Sequence, residues 1–505
     1  MERLISLIGL GAMIGVAWLL SSNRKLINWK LVGIGTGLQL LFAIIVLKTS
    51  PGRAFFEFMN DVVVKLLDFT AEGAKFVFGG LVSDPQNFGF IFAFQVLPTI
   101  IFFSSFMTVL YYLGIMQAIV KFFAMLMAKT MKTSGAESLS ASANIFVGQT
   151  EAPLVIKPFV AKMTMSELMA VMTGGMATIA GGVMAAYVGM LRGYFPDIAG
   201  HLLAASIMSA PAALVMAKIM VPEDGIPETM GNTEVKIEKI DANVIDAAAR
   251  GASEGLMLAL NVGAMLMAFI SLVALLNHVL LVAGDGVNKL IGKNPCVLTV
   301  TQSLPSGELQ QLIGSTITVN LTKKPYGSSQ EKVFQSIVEK VEPGRLIMKD
   351  RLYAPAQQNL AFAVSKNDVV VKTGTAGFGG AIKMTMEIIL GVLLSPLAFL
   401  LGAPWKEALT VGSLIGEKTI LNEFVAYMHF GDLLKSGAEL SEKSKVILTY
   451  CLCGFSNLGS IAIQLGGIGG LAPNRRGDLA RLGMKSMIAG SFACFMTAAI
   501  AAFLL

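Results

Sequence analysis

Eight stretches of this chain are apolar for long enough to cross a bilayer: about 4–20, 31–47, 89–112, 164–190, 202–220, 255–283, 446–466 and 484–505. A spanning helix needs about 20 such residues, because the hydrocarbon layer is roughly 30 Å thick. Water is absent there, so the backbone must satisfy its own polar groups, and helices do so within one segment. The rest of the composition agrees. Of 505 residues, 54% are apolar and 14% are charged, against about 25% charged in a soluble domain. Mean hydropathy is +0.69. An ordinary soluble enzyme, a disordered chain and a collagen-like fibre are excluded. The first block lacks a small-residue cleavage site and the second follows closely, so it reads as a membrane helix rather than a signal peptide.

Residues 53–79 differ. Phe55, Phe56, Phe58, Val62, Val63, Leu66 and Leu67 recur at helical spacing, with Arg53, Glu57, Asp61, Lys65 and Asp68 between them. That pattern predicts an amphipathic helix lying at the membrane interface. Lys and Arg cluster around 24–30, 121–132, 236–250 and 475–485. Placed in the cytoplasm, these clusters put both termini outside.

Two further regions are apolar but interrupted by Gly, Pro, Asn, Gln and Glu: 134–160 and 384–430. The first contains Asn144-Ile-Phe-Val-Gly-Gln-Thr-Glu-Ala-Pro153. The second contains Gly416-Glu-Lys-Thr-Ile-Leu-Asn-Glu-Phe424. A broken spanning block follows each, with Thr173–Gly182 as the first break and Cys453–Ser460 as the second. The same order therefore occurs twice, as an acidic re-entrant hairpin and then a broken helix, on opposite sides of the membrane. Paired interruptions of this kind point to an inverted repeat and to a transporter's binding site. Residues 293–373 are different material. Strand-like runs at 297–301, 316–321, 346–348, 360–364 and 369–372 alternate with turn signals. The predicted fold is thus an all-α polytopic membrane protein with a small inserted β-rich soluble domain. Its parts are 1–80 (N-terminal and interfacial helices), 81–292 (first part of the core), 293–373 (the insertion) and 374–505 (second part of the core).

A carboxylate at bilayer depth is costly and must face protein or water. Glu151 and Glu423 are the two that stand out, beside the amides Gln149 and Asn422. A carboxylate accepts two hydroxyl hydrogen bonds, which suits a diol; an amide both donates and accepts, which suits the edge of a base. Phe455 offers a ring face. Simpler readings stand beside these. Gln149 and Glu151 could cap a helix start, and Glu423 could pair with Lys418. Asn144 Oδ1, Thr178 Oγ1 and the carbonyls of Val147 and Ile179 offer the oxygen set that sodium prefers, although Asn144 could simply cap its hairpin. Asp246 and Arg250 stand i, i+4 and are expected to pair. The cysteines and the three histidines have neither disulfide nor zinc spacing. No nucleophile–base pair argues for an enzyme. No basic stripe with aromatics argues for a nucleic acid partner.

The runs Asn144–Pro153, Ala177–Gly181, Asn243–Gly255, Asn422–Tyr427 and Gly454–Asn457 resemble the concentrative nucleoside transporters. The resemblance covers nearly all of 1–292 and 378–505; the family usually has a short loop where 293–373 lies. It implies eight spanning helices, two re-entrant hairpins, an interfacial helix and a homotrimer in the bacterial plasma membrane. It also implies import of nucleosides by sodium symport through an elevator-like movement, with no organic cofactor. Gln149, Thr150 and Glu151 would then meet the base, with Val183 beside it. Glu423, Asn457 and Ser460 would hold the ribose, and Phe455 would line the pocket. Asn144, Val147, Thr178 and Ile179 would bind the sodium. Proton-coupled transport of nucleosides or nucleobases, and a receptor or gate that does not transport, are the alternatives.

Overall fold

The computed structural model describes residues 2–88, 91–230, 241–290, 297–300, 316–320, 333–342, 345–349, 357–366, 369–378, 384–438 and 440–505. They form two compact units. The first comprises 1–269, 391–431 and 440–505, and the second 270–390 and 432–439.

The longer helices are numbered here in chain order. The first five are α1 (Glu2–Leu19), α2 (Trp29–Lys48), α3 (Ser50–Phe78), α4 (Leu97–Tyr112) and α5 (Ile115–Met131). Helix α3 is the amphipathic helix expected at 53–79; Thr49 caps it and Pro51 sits in its first turn, where a missing N–H costs nothing. Helix α5 was not foreseen, because Lys121, Lys129 and the flanking glycine break its hydropathy although its apolar face is buried. Then come α6 (Gly135–Ala143), α7 (Met165–Ala177), α8 (Gly181–Leu191), α9 (Ile198–Met220) and α10 (Val244–Leu290). The C-terminal helices are α11 (Met386–Leu400), α12 (Trp405–Ile420), α13 (Glu423–Lys435), α14 (Glu442–Leu452), α15 (Leu458–Leu471) and α16 (Arg476–Leu504).

Six helical segments are long and apolar enough to span a membrane, among the described residues. They differ in surroundings. The window in α9 is 94% buried and that in α7–α8 is 83% buried, whereas that in α10 is only 11% buried. Helix α16 packs on α1, α7, α9 and α14, which places the core of the first unit around it. Lipid offers no hydrophobic drive for such packing, so close backbone approach must supply it. Gly251 and Gly255 on α10 do this against α4: a Cβ on either would come within 2.8 Å of the α4 backbone.

Each hairpin has a defined base. Ser134 and Glu137 form a capping box at the start of α6, and Thr164 and Glu167 form another at the start of α7. Ser134 Oγ donates to Glu167 Oε1 at 2.7 Å, joining the two boxes. Lys218 at the end of α9 pairs with Glu137 at 2.8 Å and Glu223 at 3.1 Å. The second hairpin begins later than the 384 expected from sequence. Helix α11 is a separate element, bent by 117° from α12, and the hairpin proper is α12, the tip at Leu421–Asn422, and α13. Pro404 preceding α12 explains the break, since the chain cannot stay helical into a proline. The expected Asp246–Arg250 pair is also corrected. Arg250 binds Asp241 at 2.6 Å and Glu254 at 2.8 Å, while Asp246 accepts from the Ala242 amide. The Arg250 hydrogen bond holds the Asp241 carboxyl below its ordinary range.

In the second unit, β1 (Val297–Val300), β2 (Thr316–Asn320), β3 (Val333–Glu342), β4 (Arg345–Met348), β5 (Gln357–Lys366) and β6 (Val369–Phe378) close into a barrel. Their order is β1-β4-β3-β2-β5-β6, and every pairing is antiparallel. Alternation sets the inside: Ile317 and Val319 are buried, opposite Ser336 and Phe334 in register. Strand β3 was missed in the sequence because Gln335, Ser336, Glu339 and Lys340 dilute its apolar residues. Asn277 on α10 donates to Glu387 at 2.8 Å and accepts from the Met386 amide at 2.8 Å. Asn277 and the start of α11, which flank the inserted stretch in the chain, therefore lie side by side.

Candidate functional site

Both broken helices open where the sequence predicts. Helix α7 ends at Ala177 and Thr178 turns to extended backbone (φ −128°, ψ 170°), so α8 starts anew at Gly181. Helix α14 ends at Leu452, and α15 restarts at Leu458 under the cap of Asn457, whose Oδ1 accepts from the Ser460 amide at 2.9 Å. The two breaks touch: the Phe455 amide donates to the Thr178 carbonyl at 3.2 Å.

The two hairpin tips meet at one cavity of about 780 Å³, counting its open mouth. Gln149, Thr150 and Glu151 reach it from the first tip, and Glu423 from the second. Val183 comes from α8, Phe455 and Asn457 from the second break, and Ser460 from α15. All eight residues expected to meet a solute thus line the same space.

Glu423 is 5% exposed and is the first residue of α13, where the helix dipole favours a negative charge. Tyr187 Oη donates to its Oε1 and Asn457 Nδ2 to its Oε2, each at 3.0 Å. A carboxylate has about four acceptor positions, so two remain for a ligand. The Lys418 pairing considered from sequence does not form; that ammonium donates to the Cys451 carbonyl instead. Asn457 is engaged at both ends, by Glu423 and by the α15 cap. On the other side Gln149 Nε2 donates to Ser460 Oγ at 3.1 Å, while Gln149 Oε1 is buried without a partner. Such an orphan acceptor is costly unless a ligand or water fills it. Glu151 is exposed on the wall. Gly175 lets the first tip approach α7 this closely: a Cβ there would sit 2.7 Å from Gln149 Cβ and 2.7 Å from Gln464 Nε2.

The candidate sodium residues lie at the first break. Asn144 Nδ2 donates to the Ser140 carbonyl at 3.0 Å, so the amide does cap its hairpin arm. Its Oδ1 is nonetheless buried with no partner. Thr178 Oγ1 donates to the Gly174 carbonyl at 2.9 Å, leaving its lone pairs available. Ile179 is buried, and among the described residues neither its carbonyl nor that of Val147 accepts a hydrogen bond. Neutral oxygens and an orphan acceptor suit a hard monovalent cation.

Several site residues were not foreseen. Tyr187 is buried and stacks on Tyr427 at 4.2 Å, forming an aromatic floor under Glu423. A single tyrosine inside the apolar run 181–191 was the available signal. Leu258, Val262, Leu266 and Phe269 of α10 form one wall. Their run is apolar on every face, so nothing in the sequence marks the side that turns inward.

Hairpin tips and broken helices around one chamber with polar groups set in an apolar lining define the class: a polytopic membrane carrier of small polar solutes. Models of the Na+ dependent nucleoside transporter match its N-terminal part over 8–81 and its C-terminal part over 201–318 and 360–502. A nucleoside recognition model matches 93–193. The chain belongs to the sodium-dependent nucleoside transporter family. It is 38% identical to an uncharacterized transporter of Haemophilus influenzae, over 99% of this chain and 97% of that one. It is 33% identical to solute carrier family 28 member 3 of Mus musculus, over 100% of this chain and 59% of that one. Among solved structures, CNTnw in an inward-facing substrate-bound state is 37% identical with a TM-score of 0.74, covering 100% of this chain and 98% of that one. A variant of CNTnw in an outward-facing state gives the same identity and TM-score.

Proposed function

We propose that this protein imports nucleosides by sodium symport. The observation that carries the reading is that one chamber is walled by both acidic hairpin tips, with Glu423 presenting two open acceptor positions and Gln149 an orphan carbonyl. In this reading Glu423, with Asn457 and Ser460, takes the ribose hydroxyls; Asn457 acts mainly by aiming the carboxylate. Gln149, Thr150 and Glu151 read the base edge, Val183 packs beside it, and Phe455 offers its ring. Sodium sits among Asn144 Oδ1, Thr178 Oγ1 and the Val147 and Ile179 carbonyls. There it fixes the first tip and so presets the base-reading side. One charge moving down 100 mV releases about 2.3 kcal/mol, which drives accumulation.

Family membership and the inward- and outward-facing structures of a similar transporter support alternating access. The elevator-like movement, the homotrimer and the bacterial plasma membrane are part of the proposal. The long apolar face of α10, exposed at Leu256, Leu260, Met267 and Leu275, supports burial against lipid or a second copy. The test is uptake of labelled uridine and adenosine into proteoliposomes with and without an imposed sodium gradient, with uracil and ribose as competitors. Sodium-driven accumulation blocked by nucleosides but not by ribose or uracil is expected. Binding without accumulation would identify a receptor, and proton-driven uptake would relocate the coupling.

A further inference from the structure

The second hairpin carries a buried cation that meets its broken helix. Lys418, one turn before the second tip, is 0% exposed. Its ammonium donates to the Cys451 carbonyl at 2.7 Å and lies 6.0 Å from the Phe495 ring centroid. Among the described residues no carboxylate lies within 4.0 Å of it. The charge faces the negative end of α14, whose last carbonyls have lost their helical partners, and lies within Coulombic reach of the Glu423 carboxylate. Those carbonyls are taken in turn: Thr449 by Tyr427 Oη at 2.6 Å, Cys451 by Lys418, and Leu452 by the Gly454 amide at 2.8 Å.

The first half has the same parts without the cation. Asn144, at the end of the first hairpin arm, lies against the last turn of α7 near Gly174. Its Oδ1 is an orphan, and the α7 end offers carbonyls there. We propose that the Lys418 ammonium is a built-in cation, filling in the second half of the repeat the place that a mobile sodium fills in the first. Lys418 is then a positioning residue. It docks the second tip on its broken helix permanently, so Glu423 and Asn457 are assembled before any ion arrives, whereas the first tip is assembled only with sodium. This rests on the sodium reading of the preceding subsection.

The experiment is uridine binding by the purified full-length protein across a sodium series, for the native chain, Lys418→Arg and Lys418→Ala. The native chain and Lys418→Arg are expected to respond with a Hill slope of about 1. In Lys418→Ala the affinity at low sodium falls about tenfold or more and the slope rises toward about 2, as a second sodium enters the vacated place. A loss in Lys418→Ala that is the same at every sodium concentration means an ordinary structural lysine and overturns the proposal. Hydrogen exchange on the native chain decides without any variant. The 405–435 amides are expected to be equally protected with and without sodium, and the 144–151 amides only with it. Sodium-dependent protection of 405–435 overturns the proposal. Binding indifferent to sodium would sink the coupling reading instead, and the exchange at 405–435 would still judge the lysine.

Discussion

The two hairpins solve one problem differently. Each must bring a polar tip to bilayer depth beside the open end of a broken helix. The second is finished by the chain's own side chains: Lys418 meets the Cys451 carbonyl, Tyr427 meets Thr449, and Asn457 locks both Glu423 and the start of α15. The first is left with two orphan amide oxygens, Asn144 Oδ1 and Gln149 Oε1, with Ser140 Oγ and Thr173 Oγ1 also unpartnered on α6 and α7; at the second break Ser456 Oγ is unpartnered. Unpaired buried polar atoms are retained where something else completes them. In the proposed reading the first half of the site is the conditional one, and the second is a fixed anvil against which a solute is held.

Substitutions in the two halves should act on different parameters. The largest effect is expected from Glu423→Gln. It removes the charge that both donors serve, at a cost of about 3 kcal/mol, so uptake falls about 100-fold or more while membrane insertion is unchanged. Normal uptake would end the ribose assignment. Gly175→Ala comes next. Its Cβ would press on Gln149 and Gln464, an overpacking of about 1–3 kcal/mol, and a rise in nucleoside KM of about tenfold or more is expected from uptake kinetics. Tyr187→Phe deletes one of two donors to Glu423. A loss of about 1.5 kcal/mol raises the KM roughly tenfold, leaving the sodium dependence alone. Asn144→Ala should do the reverse, raising the sodium needed for half-maximal uptake by about fivefold with little change at saturating sodium. If both variants shift the same parameter, the division of labour between the halves is wrong. The smallest effect, within about twofold, is expected when 297–378 is replaced by a short linker, because Asn277 already ties α10 to the start of α11.

Much of the site was legible because hydrophilic residues in an apolar run are conspicuous. Gln149, Glu151, Asn422 and Glu423 stand out against hydrocarbon-forming neighbours, and the glycine-rich breaks mark where helices stop. Elements lacking that contrast were missed or displaced. Helix α5 is amphipathic and carries lysines, so its hydropathy never announces a span. The start of the second hairpin was merged with α11, since apolar content runs across the bend at 401–404. Strand β3 runs in apolar and polar pairs (Val333-Phe334, Gln335-Ser336, Ile337-Val338, Glu339-Lys340), which hides the period-2 pattern of a strand.

The sequence alone marks most of the apolar segments, the two interruptions and the polar residues able to bind, because the cost of polarity in lipid acts locally along the chain. Only the tertiary structure decided which of those groups share a chamber, which wall of α10 closes it, and which acceptors are left over. It also decided that Arg250 chooses Asp241 over Asp246, and that Lys418 turns from Glu423 to the Cys451 carbonyl. These are competitions between partners distant in sequence, and they are settled by where packing leaves an open donor or acceptor within reach.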